Sequence, residues 1–247
     1  MNESETHYTL SIIDALDSYE SILDLRSVNF SHSTPTGVVP ILSDVNFSIR
    51  RGETVSVEGK SGCGKTTFAL LCIGMLQPDT GTVIRPPERR GQAYPIQMVF
   101  QDPYESINPR RTVEEWFSMC LKHRRKLIQT EIANMEGTDK FELRDLAMEL
   151  LKLPKYIMKM TPRQLSGGQC QRCCIASAVL TAPDLLILDE PLSMQDPGSS
   201  GYIFEFLSEM RSIHDFSVII ISHKRVSELF KIDKYYFIDN KKLFLVK

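Results

Sequence analysis

The sequence predicts an α/β fold: a parallel sheet with a glycine-rich loop at one strand end, a small β-rich segment at its start and an inserted helical lobe. Three observations predict it. Thr54 to Glu58 has the make-up of a strand and runs directly into Gly59-Lys60-Ser61-Gly62-Cys63-Gly64-Lys65-Thr66, after which Thr67 to Leu76 is an apolar run free of Gly and Pro until Gly74. Strand, glycine loop, helix is the order in which open α/β units begin. Leu185 to Leu188 and Val218 to Ile221 are unbroken apolar runs, the pattern of parallel strands covered on both faces. From Val113 to about Lys159 apolar residues recur every three or four positions among charges, which marks an inserted helical lobe.

The other elements follow in chain order. Residues 1–20 read as a polar extension with room for a short helix at Ser11 to Tyr19. Ile22 to Phe30 alternates as a strand does, Val45 to Ile49 is a second strand, and a turn at Arg50 to Gly52 leads into the third. Ile96 to Phe100 is a short apolar strand that Gln101 ends, just before the turn-rich stretch from Asp102 to Arg110. Tyr235 to Ile238 and Leu243 to Val246 form a closing hairpin around Asn240.

A chain of 247 residues suits one α/β domain of two lobes with a sizeable core. A net charge of −2 gives none of the basic excess with which nucleic-acid binders neutralise phosphates, so no nucleic-acid partner is expected. No apolar run approaches the length of a membrane span and the first residues lack the basic-then-apolar order of a secretory signal, so a soluble cytosolic protein is expected. Cys63, Cys72, Cys120, Cys170, Cys173 and Cys174 contain no two spaced CxxC pairs. Three of them crowd one predicted helix, a geometry that rarely closes around zinc, and buried reduced thiols are the expectation. The basic run from Lys122 to Lys126 reads as a solvated helix face, with contact to anionic headgroups as the alternative.

The loop from Gly59 to Thr66 fits G-x-x-x-x-G-K-[ST]. Binding a phosphate requires several backbone N–H groups to converge on one anion, which Gly59, Gly62 and Gly64 permit, and a following helix N-terminus adds partial positive charge. Lys65 would reach the outer phosphates as a point charge, and the Thr66 hydroxyl would ligate Mg²⁺. Together with Lys60, Ser61, Cys63 and Thr67 these residues are the candidate nucleotide cradle. The apolar strand ending at Asp189 and Glu190 places two carboxylates at the carboxyl edge of the sheet, where ligands bind in open α/β folds. Seen alone, such a pair is as good a helix cap or solvated turn; beside this loop, Asp189 becomes a metal candidate and Glu190 a candidate to polarise water.

Leu165-Ser166-Gly167-Gly168-Gln169 adds the decisive pattern. GKSGCGKT, Gln101, LSGGQ, LLILDE and His223 stand in the order and spacing of ABC-transporter ATP-binding subunits, and the resemblance covers roughly residues 22–246. It implies a P-loop NTPase core with an antiparallel β subdomain and an inserted α-helical subdomain at about 104–181, the domain as a whole spanning 21–247. It implies ATP and Mg²⁺ as ligands, Gln101 as a residue that senses Mg²⁺ and γ-phosphate, and His223 as a switch histidine. Ser166, Gly167, Gly168 and Gln169 would face the ATP held by a second subunit, so that two chains enclose two nucleotides. IQMVFQDPYESINPR resembles the peptide and nickel importer group, and the chain ends soon after its last hairpin, which also points to an importer. The resemblance therefore implies two transmembrane permease subunits, a second ATPase chain (a copy or a paralogue), an extracytoplasmic substrate-binding protein served indirectly, and a place on the cytoplasmic face of the membrane. Tyr104 and Ile107 are candidate apolar contacts for a permease helix, a packed loop being the alternative. A soluble ABC ATPase in a non-transport role is the rival class, though the paired cassettes or long coiled coils of such proteins are absent here.

Three departures from the family pattern stand out. His32 takes the position where an aromatic residue stacks on adenine, with Phe30 expected in the core. Ser193-Met194-Gln195-Asp196 replaces a small-small-Leu-Asp loop, so Gln195 stands where an apolar contact near the dimer interface is usual. Lys224 follows His223 where many relatives have Asp. These raise the alternative of a hydrolysis-poor partner in a heterodimer, although Lys65, Asp189, Glu190 and His223 are all present.

Overall fold

Alternation of buried and exposed residues gives the first strands one wet and one dry face. In the computed structural model, which describes residues 21–35, 37–88, 93–124, 140–195, 200–223 and 230–246, Ser21–Thr34 (β1) lies between Gly37–Arg50 (β2) and Thr80–Ile84 (β4) in an antiparallel sheet. The expected extension over 1–20 and residues Arg125, Lys126, Asp196 and Lys224 lie outside the described residues. β4 has no counterpart among the sequence expectations because four of its five residues are exposed, which leaves no alternation to detect. Leu23, Leu25, Val28, Val45, Phe47 and Ile49 turn inward from this sheet.

Thr54–Gly59 (β3), Ile96–Val99 (β5), Leu185–Asp189 (β6), Ser217–Ser222 (β7), Lys234–Asp239 (β8) and Lys242–Leu245 (β9) form the second sheet, in the order β5-β6-β7-β3-β8-β9. All its pairings are parallel except β8 with β9, the hairpin that turns at Asn240 and Lys241. Every residue of β6 and β7 is buried, as their apolar runs require. Because side chains alternate along a strand, Leu185, Ile187, Ile219 and Ile221 join Phe47 and Phe68 on one side, while Leu186, Leu188, Val218 and Ile220 join Phe204, Phe206 and Phe216 on the other. Each large side chain buried this way contributes roughly 1.5–3 kcal/mol against a net stability of about 5–15 kcal/mol, so neither face can be left uncovered.

The cover comes from helices. Lys65–Ile73 (α1) packs Phe68, Ala69, Leu71 and Cys72 beneath the antiparallel sheet. It starts two residues before the expected Thr67 and stops before Leu76, because Gly74 at φ 85° leaves the helix and returns its N–H to the Leu71 carbonyl. The helical lobe resolves into Val113–Lys122 (α2), Lys140–Leu150 (α3) and a 3₁₀ turn at Lys155–Lys159. Thr112 opens α2 with a reciprocal capping box to Glu115. Gly167–Leu180 (α4) and Ser200–Ile213 (α5) cover the opposite face of the main sheet. No element was expected over α5, although its buried Ile203, Phe204, Leu207 and Met210 carry helical spacing.

Candidate functional site

Parallel strands deliver their final residues to one edge of the sheet. There β3 ends at Gly59, β5 at Val99, β6 at Asp189 and β7 at Ser222, so the glycine loop, Gln101, Glu190 and His223 all emerge on the same side. They line a cleft of ≈ 570 Å³ together with His32, Ser61, Gly62, Gly64, Lys65, Thr66, Thr67 and Asp189, and with Ile41, which sequence reasoning did not single out. Ile41 enters because β2 passes over the loop; nothing in its own neighbourhood marks it.

The loop itself is shaped for an anion. Gly64 is the N-cap of α1 at φ 106°, with no side chain capping the helix, so the first-turn N–H groups face the cleft side without an internal acceptor. A Cβ at Gly64 would sit 3.1 Å from Ile41 and 3.3 Å from Leu42, and the left-handed backbone adds its own cost. Lys65, nearly buried, donates from Nζ to the Gly59 carbonyl at 2.8 Å and the Lys60 carbonyl at 3.0 Å. Its ammonium is thereby held over the loop.

Thr66 Oγ1 donates to Asp189 Oδ2 at 2.8 Å, joining the start of α1 to the end of β6. Burial raises the Asp189 pKa, and the Glu190 charge adds to that rise, while the Thr66 hydroxyl and the Lys65 ammonium oppose it. A hydroxyl and a buried carboxylate side by side are hard oxygen donors that fit Mg²⁺, an ion that completes its shell with water and phosphate oxygens rather than with a full protein cage. No cluster of three or more His, Cys, Asp or Glu capable of holding a metal occurs among the described residues. Cys170, Cys173 and Cys174 are buried free thiols. Burial pushes Cys173 far above the usual thiol range and Cys120 up to about 12, which disfavours the thiolate.

Glu190 sits just past β6 with its backbone at φ 50°, a left-handed conformation that costs a non-glycine residue about 1–3 kcal/mol. Its Oε2 lies 2.8 Å from His223 Nδ1. An ionised carboxylate can only accept, so in this contact Nδ1 carries the hydrogen. Glu190 is largely buried and His223 is more than half exposed, which puts the pair at the mouth of the cleft. His32 lines the cleft wall and meets Phe30 edge-on at 5.0 Å, while Phe30 is in the core as expected.

The LSGGQ residues are elsewhere. Ser166, Gly167, Gly168 and Gln169 lie outside the lining of this cleft, at the N-terminus of α4. Ser166 accepts from Gln169 N at 3.2 Å and Gln169 Oε1 accepts from Ser166 N at 3.0 Å, a capping box that occupies the Gln169 side-chain oxygen. Gly168 is needed for close approach: a Cβ there would lie 3.1 Å from the Met194 carbonyl. The Tyr104 hydroxyl donates to the Leu165 carbonyl at 3.1 Å, so the stretch after Gln101 is pinned to the start of the pentapeptide. Ile107 is buried in the core, in line with the packed-loop alternative, while Tyr104 is exposed.

Gln195 also differs from expectation. Its carboxamide donates to the Gly168 carbonyl at 3.2 Å and to Gln171 Oε1 at 2.9 Å, and it accepts from Arg172 Nη1 at 3.3 Å. The polar group is therefore matched within its own chain. Gln171 was not anticipated; a buried polar residue in an otherwise small and apolar helix is the only sequence sign of it.

Comparison with known proteins places this geometry. The model of the ABC transporter family matches residues 42–193. The probable D,D-dipeptide transport ATP-binding protein DdpF of Escherichia coli (strain K12) is 35% identical over 215 residues, which is 83% of this chain and 65% of that protein. The oligopeptide transport ATP-binding protein OppD of the same strain is 32% identical over 234 residues, 88% of this chain and 67% of that protein. The nickel import ATP-binding protein NikE of Shigella dysenteriae serotype 1 (strain Sd197) is 34% identical over 192 residues, 74% of this chain and 69% of that protein. The chain thus spans about two thirds of the length of such relatives. Among solved structures, the dimeric bacterial ABC transporter cassette MJ0796 superposes with a TM-score of 0.71 at 22% identity, over 91% of this chain and 99% of that one, and so shares its fold.

Proposed function

The chain belongs to the ABC transporter family, and from that premise we propose that it is the ATP-binding and ATP-hydrolysing subunit of an importer for peptides or nickel or other metal chelates. The observation that carries the proposal is the Glu190–His223 pair standing in the same cleft as the Lys65 loop and the Thr66–Asp189 bond. The names of the peptide and nickel relatives support the substrate class.

The loop N–H groups and Lys65 bind the outer phosphates of ATP, and His32 offers a ring to the adenine. Thr66 and Asp189, with Gln101 nearby, would hold Mg²⁺, which when bound would neutralise negative charge on the phosphates. Glu190 accepts the proton of the attacking water, and His223 holds that carboxylate through Nδ1–H; in its doubly protonated form the same ring donates from Nε2–H to a γ-phosphate oxygen. A positioned base of this kind is worth about 10²–10⁴-fold in rate. Ser166, Gly167, Gly168 and Gln169 lie apart from Lys65, which supports their serving the nucleotide of a second chain.

We take residues 21–247 as one cassette with a helical subdomain at about 104–181. Its partners are a second ATPase chain, two permeases and, through them, an external binding protein; it sits peripherally on the cytoplasmic face of the membrane. No helix among the described residues is long and apolar enough to cross a membrane. The test is Mg²⁺-ATPase activity of the purified chain, alone and with its second ATPase chain, followed by peptide or nickel uptake in vesicles carrying the permeases. Hydrolysis and uptake that both require this chain support the proposal; absence of ATP hydrolysis in every combination overturns it.

A further inference from the structure

We propose that Gln195 is a positioning residue: acting through Gln171, it holds the backbone of Glu190 in its left-handed conformation and ties that turn to the loop that begins α4. The inference rests on the ATPase role of Glu190 proposed above.

Glu190 is a non-glycine residue at φ 50°, so contacts from elsewhere must maintain it. Its N–H donates to the Ile221 carbonyl at 2.9 Å, and its carbonyl accepts from Ser193 N at 3.1 Å and from Gln171 Nε2 at 3.3 Å. Only the last of these comes from a side chain, and that side chain is fully buried. A carboxamide has one acceptor oxygen and one donor nitrogen, and the Glu190 carbonyl needs the nitrogen. What keeps the Gln171 amide facing this way is its other end, where Oε1 accepts from Gln195 Nε2 at 2.9 Å.

Gln195 is in turn fixed on both sides. Its second N–H reaches the Gly168 carbonyl at 3.2 Å and its oxygen accepts from Arg172 Nη1 at 3.3 Å. The bonds close a ring: the turn leaves β6 at Glu190, returns at Gln195 to α4, and Gln171 of α4 reaches back to Glu190. An apolar side chain at 195 would leave Gln171 Oε1 buried without a donor and the amide free to turn its oxygen toward another oxygen. The substitution of Gln for the family's apolar residue is thus matched by the partners it needs, rather than being a weakness of the site.

The decisive variant is Gln195→Glu, which keeps the shape and the Arg172 contact but, when ionised, removes both N–H donors. With the full-length protein we expect kcat for ATP to fall about tenfold while KM stays within about twofold, since the substrate-binding loop is untouched. Amide hydrogen exchange is expected to speed up at residues 190–193 and 168–171 together. Gln171→Met should give a similar loss of kcat, and adding Gln195→Glu to it should lower kcat no further. Unchanged exchange at 190–193, an unchanged kcat, or losses that multiply in the double variant would each overturn the proposal. Exchange is read without turnover, so a wild-type chain that hydrolyses no ATP refutes the ATPase role while the exchange result still decides the relay.

Discussion

His223 Nδ1 and Glu190 Oε2, 2.8 Å apart, belong to residues that follow two neighbouring parallel strands, β7 and β6. The bond therefore spans the gap between adjacent strand ends and keeps a hydrogen on Nδ1 of the imidazole. If Glu190 is the base, Glu190→Gln keeps shape and fold while removing proton acceptance. ATP turnover should fall by about 10²-fold or more, and ATP should hold two chains together as a dimer visible by size-exclusion chromatography with light scattering. Turnover near wild type would remove Glu190 from this role.

His32 stands on the cleft wall beside Ile41, edge-on to Phe30. A larger ring there offers more stacking area, and aromatic pairs are worth about 0.5–1.5 kcal/mol beyond their buried area. His32→Tyr should tighten ATP severalfold by calorimetric titration; an unchanged or weaker dissociation constant counts against an adenine contact at this position.

A methyl group on Gly168 would crowd the Met194 carbonyl, which lies 3.1 Å from where a Cβ would be and would have to give by a few tenths of an ångström. Gly168→Ala forces that turn outward and should lower stability by about 1–3 kcal/mol, as overpacking does. Urea unfolding reads the change. An unaltered midpoint would mean that the Met194 turn moves freely.

His214 is partly buried and donates from Nε2 to the Pro183 carbonyl at 2.8 Å. Burial is the main cause that lowers its pKa below the usual histidine value; the Arg124 and Arg51 charges add to this, while the Pro183 bond and Asp184 oppose it. The unfolded chain thus takes up a proton at a higher pH than the folded one. Stability from this group is complete above about pH 6.5 and is lost as pH falls toward the folded pKa. His214→Gln keeps a donor for Pro183 and should flatten that part of the stability–pH curve below about pH 6.5. An identical slope in both proteins would exclude His214 as its source.

Much of the fold is legible because local signals coincide with global need. The apolar runs of β6 and β7 lie on a sheet buried on both sides, and the Gly59 to Thr66 loop joins β3 to α1. β4 was not legible, since a strand exposed along most of its length carries no alternation. In the site, Lys65, Thr66, Asp189, Glu190, Gln101 and His223 could be picked out by type and order, and they line one cleft. Ile41 and Gln171 could not, because their importance comes from what passes beside them.

By itself the sequence determined the chemical inventory and its order: a phosphate loop, a strand ending in two carboxylates, a signature pentapeptide and a following histidine. These are carried by consecutive residues whose local backbone and polarity suffice to define them. Tertiary structure alone decided that Glu190 is held left-handed, that Ile107 faces inward, and that Gln195 has its partners in its own chain. These depend on groups far apart in the chain meeting at hydrogen-bond or packing distance.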